Sequence, residues 1–461
     1  MVSQSRSHAA IRQGVSMPRT PGSESGANPG SNPGSNPRDN SKSALTRRRL
    51  LQTSLLAVPG AMALGACARA SDATTAAASG TGASGAASAP TTLQIASPEN
   101  PVRWPIAPGN EPIASGLQPE KNGVLRLYNY PDYLDPEAIK TFEKKYADSG
   151  VKVELSTFND TQEALTKIRN AGSAFDIYFP SYDSIGKLVT GGLIRPLQHS
   201  YIPNIANIYP EFQDPFYDLG WQYTAPYTLY TTGIGWRTDR VSEDIPALAN
   251  PYDVFWDAKY REHIAVLDDY REVIGMTLMR NGGTNVNTDD DALLNAARDA
   301  MLEMNVATKP RVTISGYTDI PEGRLDISQA WSGDLIMAVN YLPEGVSPDI
   351  LRYWFPKDGK GLVNNDTMVT LKGGQSPVLA HLFINHILDQ ATAMGNFMYT
   401  GYQPPQVSIT AESLVSDGVI PATLKEAVVL PGYFKTGYRT LELPPETDAK
   451  YAAIWQQFKA G

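Results

Sequence analysis

Asp268, Asp269 and Glu272 surround Tyr270 in the run Leu267-Asp-Asp-Tyr-Arg-Glu-Val273. The apolar residues 264–267 precede them and a helical pattern over 273–280 follows. That order places three carboxylates at the carboxyl end of a strand, where open α/β sheets hold their ligands. The spacing also fits a capping box, with Asp269 as N-cap and Glu272 returning the bond from the third helical position. The other chemistry it fits is recognition of a cation by carboxylates facing a cleft. The same association of rings and acids recurs after other expected strands: Tyr128, Tyr130 and Tyr133 near Asp132 and Asp135, Tyr182 beside Asp183, and Trp331 near Asp334. Ring faces attract ammonium groups and cover methylene stems, while carboxylates accept their hydrogen bonds. A diamine or polyamine would use both.

Competing chemistries find little support. The sequence has no P-loop, nucleophile elbow, zinc-helix motif or dinucleotide fingerprint. One Cys permits neither a disulfide framework nor a thiolate cluster, and His381 and His386 are not spaced to share a helix face. No metal, cofactor or catalytic residue is therefore expected. The net charge is -9; the first 66 residues carry eight basic side chains against two acidic, or +6, which leaves −15 on the remainder. So acidic a body is unsuited to nucleic acid, whose phosphates require a basic face.

The elements that must position these residues begin with a strand at 124–128. Asp135-Pro136 then reads as an N-cap followed by a first-turn proline. Ile139, Phe142 and Tyr146 lie at helical spacing, and 151–155 alternates as a half-buried strand. A helix opened by Asp160 and Glu163 and a strand at 175–179 complete a parallel α/β pattern. Residues 225–236 form an extended crossover. Beyond it, strands are expected at 264–267, 327–332, 353–356 and 368–371. Helices are expected at 289–304, 378–394 and 448–458, the last capped near Thr447. Folded structure is expected to start near Gly123, with Trp104 packing on it from a Pro-rich extended stretch.

Residues 1–45, rich in Ser, Gly, Asn and Pro, are expected to be disordered. Residues 46–67 contain Arg47-Arg48-Arg49, a broken apolar stretch and Leu64-Gly65-Ala66-Cys67, and they resemble a twin-arginine lipoprotein signal with its lipobox. Cys67 would then be lipidated, and residues 68–92, mostly Ala, Ser, Gly and Thr, would be a flexible tether.

The runs Leu127-Tyr-Asn-Tyr-Pro-Asp-Tyr133, Phe179-Pro-Ser181, residues 226–235, Asp268-Asp-Tyr-Arg-Glu-Val273, Trp331-Ser-Gly333 and Thr400-Gly-Tyr402 resemble, in order, segments of bacterial spermidine/putrescine-binding proteins. These are the polyamine-binding subunits of ABC importers, and the likeness extends from about Gly123 to the C-terminus. It implies a two-lobe type II periplasmic-binding-protein fold with the ligand cleft between discontinuous α/β lobes, residues 93–236 with 367–408 and residues 237–366 with 409–461. It implies ammonium binding by Asp269 and Glu272, with Trp331, Tyr133, Ser181, Asp366 and Tyr402 completing the site. Three positions depart from the family pattern: Tyr130 and Asn364 stand where it has Trp, and Asp183 where it has Tyr. Fewer rings and one more acid suit a more highly charged polyamine or a ligand with hydroxyls. The implied protein is a monomeric, lipid-anchored extracytoplasmic carrier that delivers its cation to permease subunits. A ligand-sensing lipoprotein would use the same residues, whereas a secreted enzyme would need a nucleophile, metal or cofactor motif.

Overall fold

Residues 94–159, 161–170 and 175–461 are described by a computed structural model. The expected disordered extension, the twin-arginine signal with Cys67, and the tether lie outside these residues, as does the expected helix opener Asp160. In chain order the first elements are β1 (Val124–Asn129), α1 (Pro136–Lys145), β2 (Lys152–Thr157), α2 (Thr161–Asn170), β3 (Ile177–Tyr178), α3 (Ile185–Thr190), β4 (Ile194–Arg195) and β5 (Thr224–Arg237). Next come β6 (Ile264–Val266), α4 (Tyr270–Arg280), α5 (Asp291–Thr308), β7 (Arg311–Val312), α6 (Gly316–Asp319), β8 (Ile327–Trp331), α7 (Ser332–Ala338), β9 (Leu351–Trp354) and β10 (Leu362–Leu371). The last helices are α8 (Pro377–Ile387), α9 (Gln390–Thr400), α10 (Ala411–Ser416), α11 (Tyr433–Thr436) and α12 (Pro445–Ala460).

The strands form one sheet in the order β2-β1-β3-β10-β5-β8-β6-β7, with β4 also on β10 and β9 also on β5. β1 runs parallel to both β2 and β3, and β6 runs parallel to both β7 and β8. The long strands β5 and β10 are antiparallel to each other and join these two parallel trios. β10 pairs with β3 and β4 toward its end, while the second half of β5 pairs with β8 and β9. Helices on the faces complete the parallel units, as short crossovers require. Beside the second trio, Leu294, Met301 and Met304 of α5 and Tyr451, Trp455 and Phe458 of α12 pack with Val273 and Ile274 of α4.

Several expected boundaries move. The strand foreseen at 368–371 is the end of ten-residue β10, whose earlier half holds the polar run Asn364-Asn365-Asp366, poor in strand-forming residues. The single helix foreseen at 378–394 is two, because Asp389 accepts from the amides of Ala391 and Thr392 and starts α9 afresh. The final helix begins at Pro445 with no side-chain cap, rather than at 448 behind a cap near Thr447. The folded body also starts well before Gly123. Val102 and Trp104 are 1% and 3% exposed, Trp104 Nε1 donates to the Tyr217 carbonyl at 2.8 Å, and Val102 exchanges backbone bonds with Phe216 and Leu219. Further along, the Glu120 carboxylate accepts from the first amides of α8, Val378 and Leu379. Prolines hid this strap from a periodicity reading, since its order comes from contacts distant in sequence. Among the described residues no helix is long and apolar enough to cross a membrane.

Candidate ligand-binding site

Antiparallel pairing puts a polar row on one sheet face. Asn364 lies opposite Tyr230, Asp366 opposite Thr228, and Thr232 opposite Trp331. Directly paired residues share a face and residues two apart along a strand do too, so Thr228, Tyr230, Thr232, Asn364, Asp366 and Trp331 form one surface. A bulge follows Asp366, where the pairing register shifts at Thr367.

α4 brings its first turn to this surface. Asp269 is extended and its Oδ1 accepts from the amides of Arg271 and Glu272 at 2.8 and 3.2 Å, so it caps the helix. Glu272 does not return the bond. Its Oε1 accepts from Trp331 Nε1 at 3.3 Å and Asn364 Nδ2 at 3.4 Å, and its Oε2 has no hydrogen-bond partner although the residue is only 4% exposed. The capping reading thus holds for Asp269 and fails for Glu272. Asp268 turns away, paired with Lys459 of α12 at 3.3 Å. Burial raises the carboxyl pKa of Glu272, and the neighbouring Asp269 charge raises it further. Burial likewise raises that of Asp269, against the pull of its two capping amides.

Asp366 accepts from Tyr133 Oη at 2.8 Å and bridges to Ser181. Burial pushes its pKa up to about 7. Tyr133 also meets the Thr228 hydroxyl. Its ring stands edge-on to Tyr130, Tyr227 and Tyr402, at 6.0, 5.3 and 4.9 Å between centres. Tyr402 is held by close docking of two glycine turns. A Cβ on Gly333 would sit 2.5 Å from the Tyr402 ring, and one on Gly401, at φ +75°, would strike the Gly333 carbonyl. Tyr402 Oη donates to Asp334 Oδ1 at 2.8 Å, leaving Oδ2 of this 4%-exposed carboxylate without a partner. Burial lifts Asp334 to about 7 as well.

Asn364 couples the two sides. Its Oδ1 accepts from Tyr182 Oη at 2.8 Å and the Thr440 amide at 3.2 Å, and its Nδ2 reaches Thr440 Oγ1 and Glu272. Asp183 is half-buried; burial raises its pKa, opposed by Arg271 and Lys187, and its own charge raises Asp269 and Asp366. All ten residues expected at the site therefore meet in one region. Asp135 does not belong to it, being the cap of α1. Asp334, noted in the sequence only as an acid near Trp331, belongs to the site, and sequence reasoning missed Tyr230. Tyr230 packs edge-on between Trp331 and Tyr402, at 6.3 and 6.0 Å. Its place in the run 226–235 that resembles the family was the available signal. Among the described residues no cluster of His, Cys, Asp and Glu could hold a metal.

A buried group of carboxylates beside aromatic edges, two of whose oxygens lack hydrogen-bond partners, is suited to accept from the donors of a ligand. Residues 137–422 match the family of bacterial extracellular solute-binding proteins. The chain belongs to this family. It is similar to the spermidine/putrescine-binding periplasmic protein 1 of Haemophilus influenzae, 27% identical over 319 residues that cover 67% of this chain and 82% of that protein. It is also similar to the putrescine-binding periplasmic protein SpuD of Pseudomonas aeruginosa, 25% identical over 371 residues that cover 76% and 95%. Among solved structures, the spermidine/putrescine ABC transporter substrate-binding protein PotD of Streptococcus pneumoniae superposes with a TM-score of 0.60 at 27% identity, covering 73% of this chain and 98% of that one. The fold is the two-lobe type II arrangement, and the family is one of solute binders rather than enzymes.

Proposed function

We propose that this protein captures a linear polyamine outside the cytoplasmic membrane and delivers it to the permease of an ABC importer. The observation that carries the reading is the pair of buried carboxylate oxygens, Glu272 Oε2 and Asp334 Oδ2, that lack hydrogen-bond partners beside the rings of Trp331 and Tyr402. Buried carboxylates without a cation are costly, and an ammonium group offsets that cost through charge-assisted bonds. The relatives named for spermidine and putrescine support the same class. In this reading Asp269, Glu272, Asp334 and Asp366 accept from ammonium groups. Tyr130, Tyr133, Tyr230, Trp331 and Tyr402 cover the methylenes, and Ser181, Asp183 and Asn364 complete the polar wall. The lobes divide as 93–236 with 367–408 and 237–366 with 409–461. The chain is a monomer, anchored through lipid on Cys67.

Calorimetric titration of putrescine and spermidine tests the site. Glu272→Gln is expected to weaken amine binding by roughly 2–5 kcal/mol, as loss of one partner of a buried charge pair does. Asp269→Asn is expected to weaken binding with little change in unliganded melting, because an amide oxygen still caps a helix. Equal affinities for wild type and both variants would reject the assignment.

A further inference from the structure

Arg439 lies in the stretch 437–442, which runs beside β10 toward α12. Tyr438 bridges to Leu362, Arg271 Nη1 donates to the Leu441 carbonyl at 2.8 Å, and Glu442 pairs with Lys187 at 3.5 Å. Glu442 comes this close to α3, next to Asp183 and the strap, because residue 186 is glycine; a Cβ there would sit 2.6 Å from Glu442 Oε2. Arg439 itself is only 8% exposed, and neutral groups hold it. Its guanidinium stacks over the rings of Tyr182, Phe434 and Phe216 at 4.4, 5.0 and 5.3 Å. Its Nη2 donates to Asn365 Oδ1 at 2.6 Å, and its Nε donates to Tyr182 Oη at 3.4 Å. The ring faces offset part of the cost of burying the cation.

A guanidinium has donors and no acceptor, so the direction of every bond it makes is fixed. Tyr182 therefore accepts from Arg439, and its own proton goes to Asn364 Oδ1 at 2.8 Å. The Thr440 amide, which also can only donate, meets the same oxygen at 3.2 Å. With Oδ1 so engaged, Asn364 turns Nδ2 toward Glu272 Oε1 at 3.4 Å. We propose that Arg439 is a positioning residue for the ligand site: it fixes the direction of a hydrogen-bond chain through Tyr182 and Asn364 that delivers a donor to Glu272 Oε1 and leaves Oε2 for the ligand. This rests on the polyamine reading above and adds to it a residue outside the ligand-contacting wall. The groups around Glu272 are Asp269 and Arg271 on its own helix, Tyr230 and Thr232 of β5, Trp331 of β8 and Asn364 of β10, and its charge also reaches Tyr252 and Tyr353. Donation to a carboxylate favours its ionised form, so cutting the chain makes Glu272 harder to ionise.

The test is a carbon-13 NMR titration of the Glu272 carboxyl in the unliganded protein, assigned against Glu272→Gln, for wild type, Arg439→Met, Arg439→Lys and Tyr182→Phe. Calorimetric titration of putrescine and spermidine into each follows at pH 6 and pH 9. Arg439→Met and Tyr182→Phe are each expected to raise the midpoint of the Glu272 titration by about one pH unit. Amine binding then weakens about tenfold at pH 6 and stays near wild type at pH 9. The double variant is expected to do no more than either single one, since both cut the same chain. Arg439→Lys keeps a donor and a charge over the Tyr182 ring and is expected to restore most of the wild-type behaviour. If Arg439→Met fails to fold, Tyr182→Phe, which removes one hydroxyl, decides. An unmoved Glu272 titration, with affinity lost equally at both pH values, would make Arg439 a packing residue and overturn the chain while the polyamine reading stands. A wild type that binds neither amine would overturn the polyamine reading, and the carboxyl titration would still decide the role of Arg439.

Discussion

Glu272, Asp334 and Asp366 are carboxylates that burial holds above their ordinary range, Asp334 and Asp366 at about 7. An acid whose folded pKa is raised binds its proton more tightly in the folded state than in the unfolded one. Its contribution therefore favours folding at low pH and is lost as pH rises from about 4 through about 7. An ammonium ligand reverses the balance by stabilising the ionised form. The increase in melting temperature caused by spermidine is thus expected to be larger at pH 8 than at pH 5.5, and binding near pH 6.5 is expected to release protons. Titrations in buffers of different ionisation enthalpy measure that release. Proton uptake on binding would show that these carboxylates do not face the ligand.

At the scale of elements, the site depends on β5 and β10 being long enough to belong to both halves of the sheet. Their pairing sets Asn364 against Tyr230 and Asp366 against Thr228, so a one-residue slip would turn both acceptors to the other face. The N-terminal strap acts as an element although it contains no regular structure. Trp104 is buried and Glu120 supplies the cap that α8 otherwise lacks, since Ser376 makes no side-chain bond there. A chain beginning at Leu93 is expected to melt as the longer protein does. One beginning at Gly123 loses the buried Trp104, and truncating a single buried Trp costs about 3–5 kcal/mol. Thermal melting of the two shortened chains separates a structural strap from a passive linker; equal melting would show the strap contributes nothing.

At the scale of the molecule, two parallel trios are joined by two long antiparallel strands that form a shared seam. The acceptors Asn364 and Asp366 lie on that seam. The lipobox reading concerns the other end of the chain. Replacing Cys67 with Ala is expected to abolish incorporation of labelled fatty acid and leave an unprocessed precursor. Absence of label in the wild-type protein would reject the lipid anchor.

The local order of the polypeptide was written in near-neighbour patterns. Asp135-Pro136 announced α1, and the alternation of 151–155 announced β2. Asp269 announced α4 because a cap is satisfied within three residues of itself. The resemblance to a known family suggested ten candidate residues, seven of them inside the resembling runs, since each run keeps its residue types wherever the fold takes it. Sequence could not decide what Glu272 bonds, because its partners Trp331 and Asn364 lie 59 and 92 positions away. It could not decide that 364–366 is strand, because a polar run lacks the apolar pattern that marks one and is ordered here by pairing with β5. Nor could it place Glu442 beside Asp183, which requires the C-terminal segment and the strap to meet over α3. Those contacts join distant stretches of chain, and only the assembled sheet brings them within reach of each other.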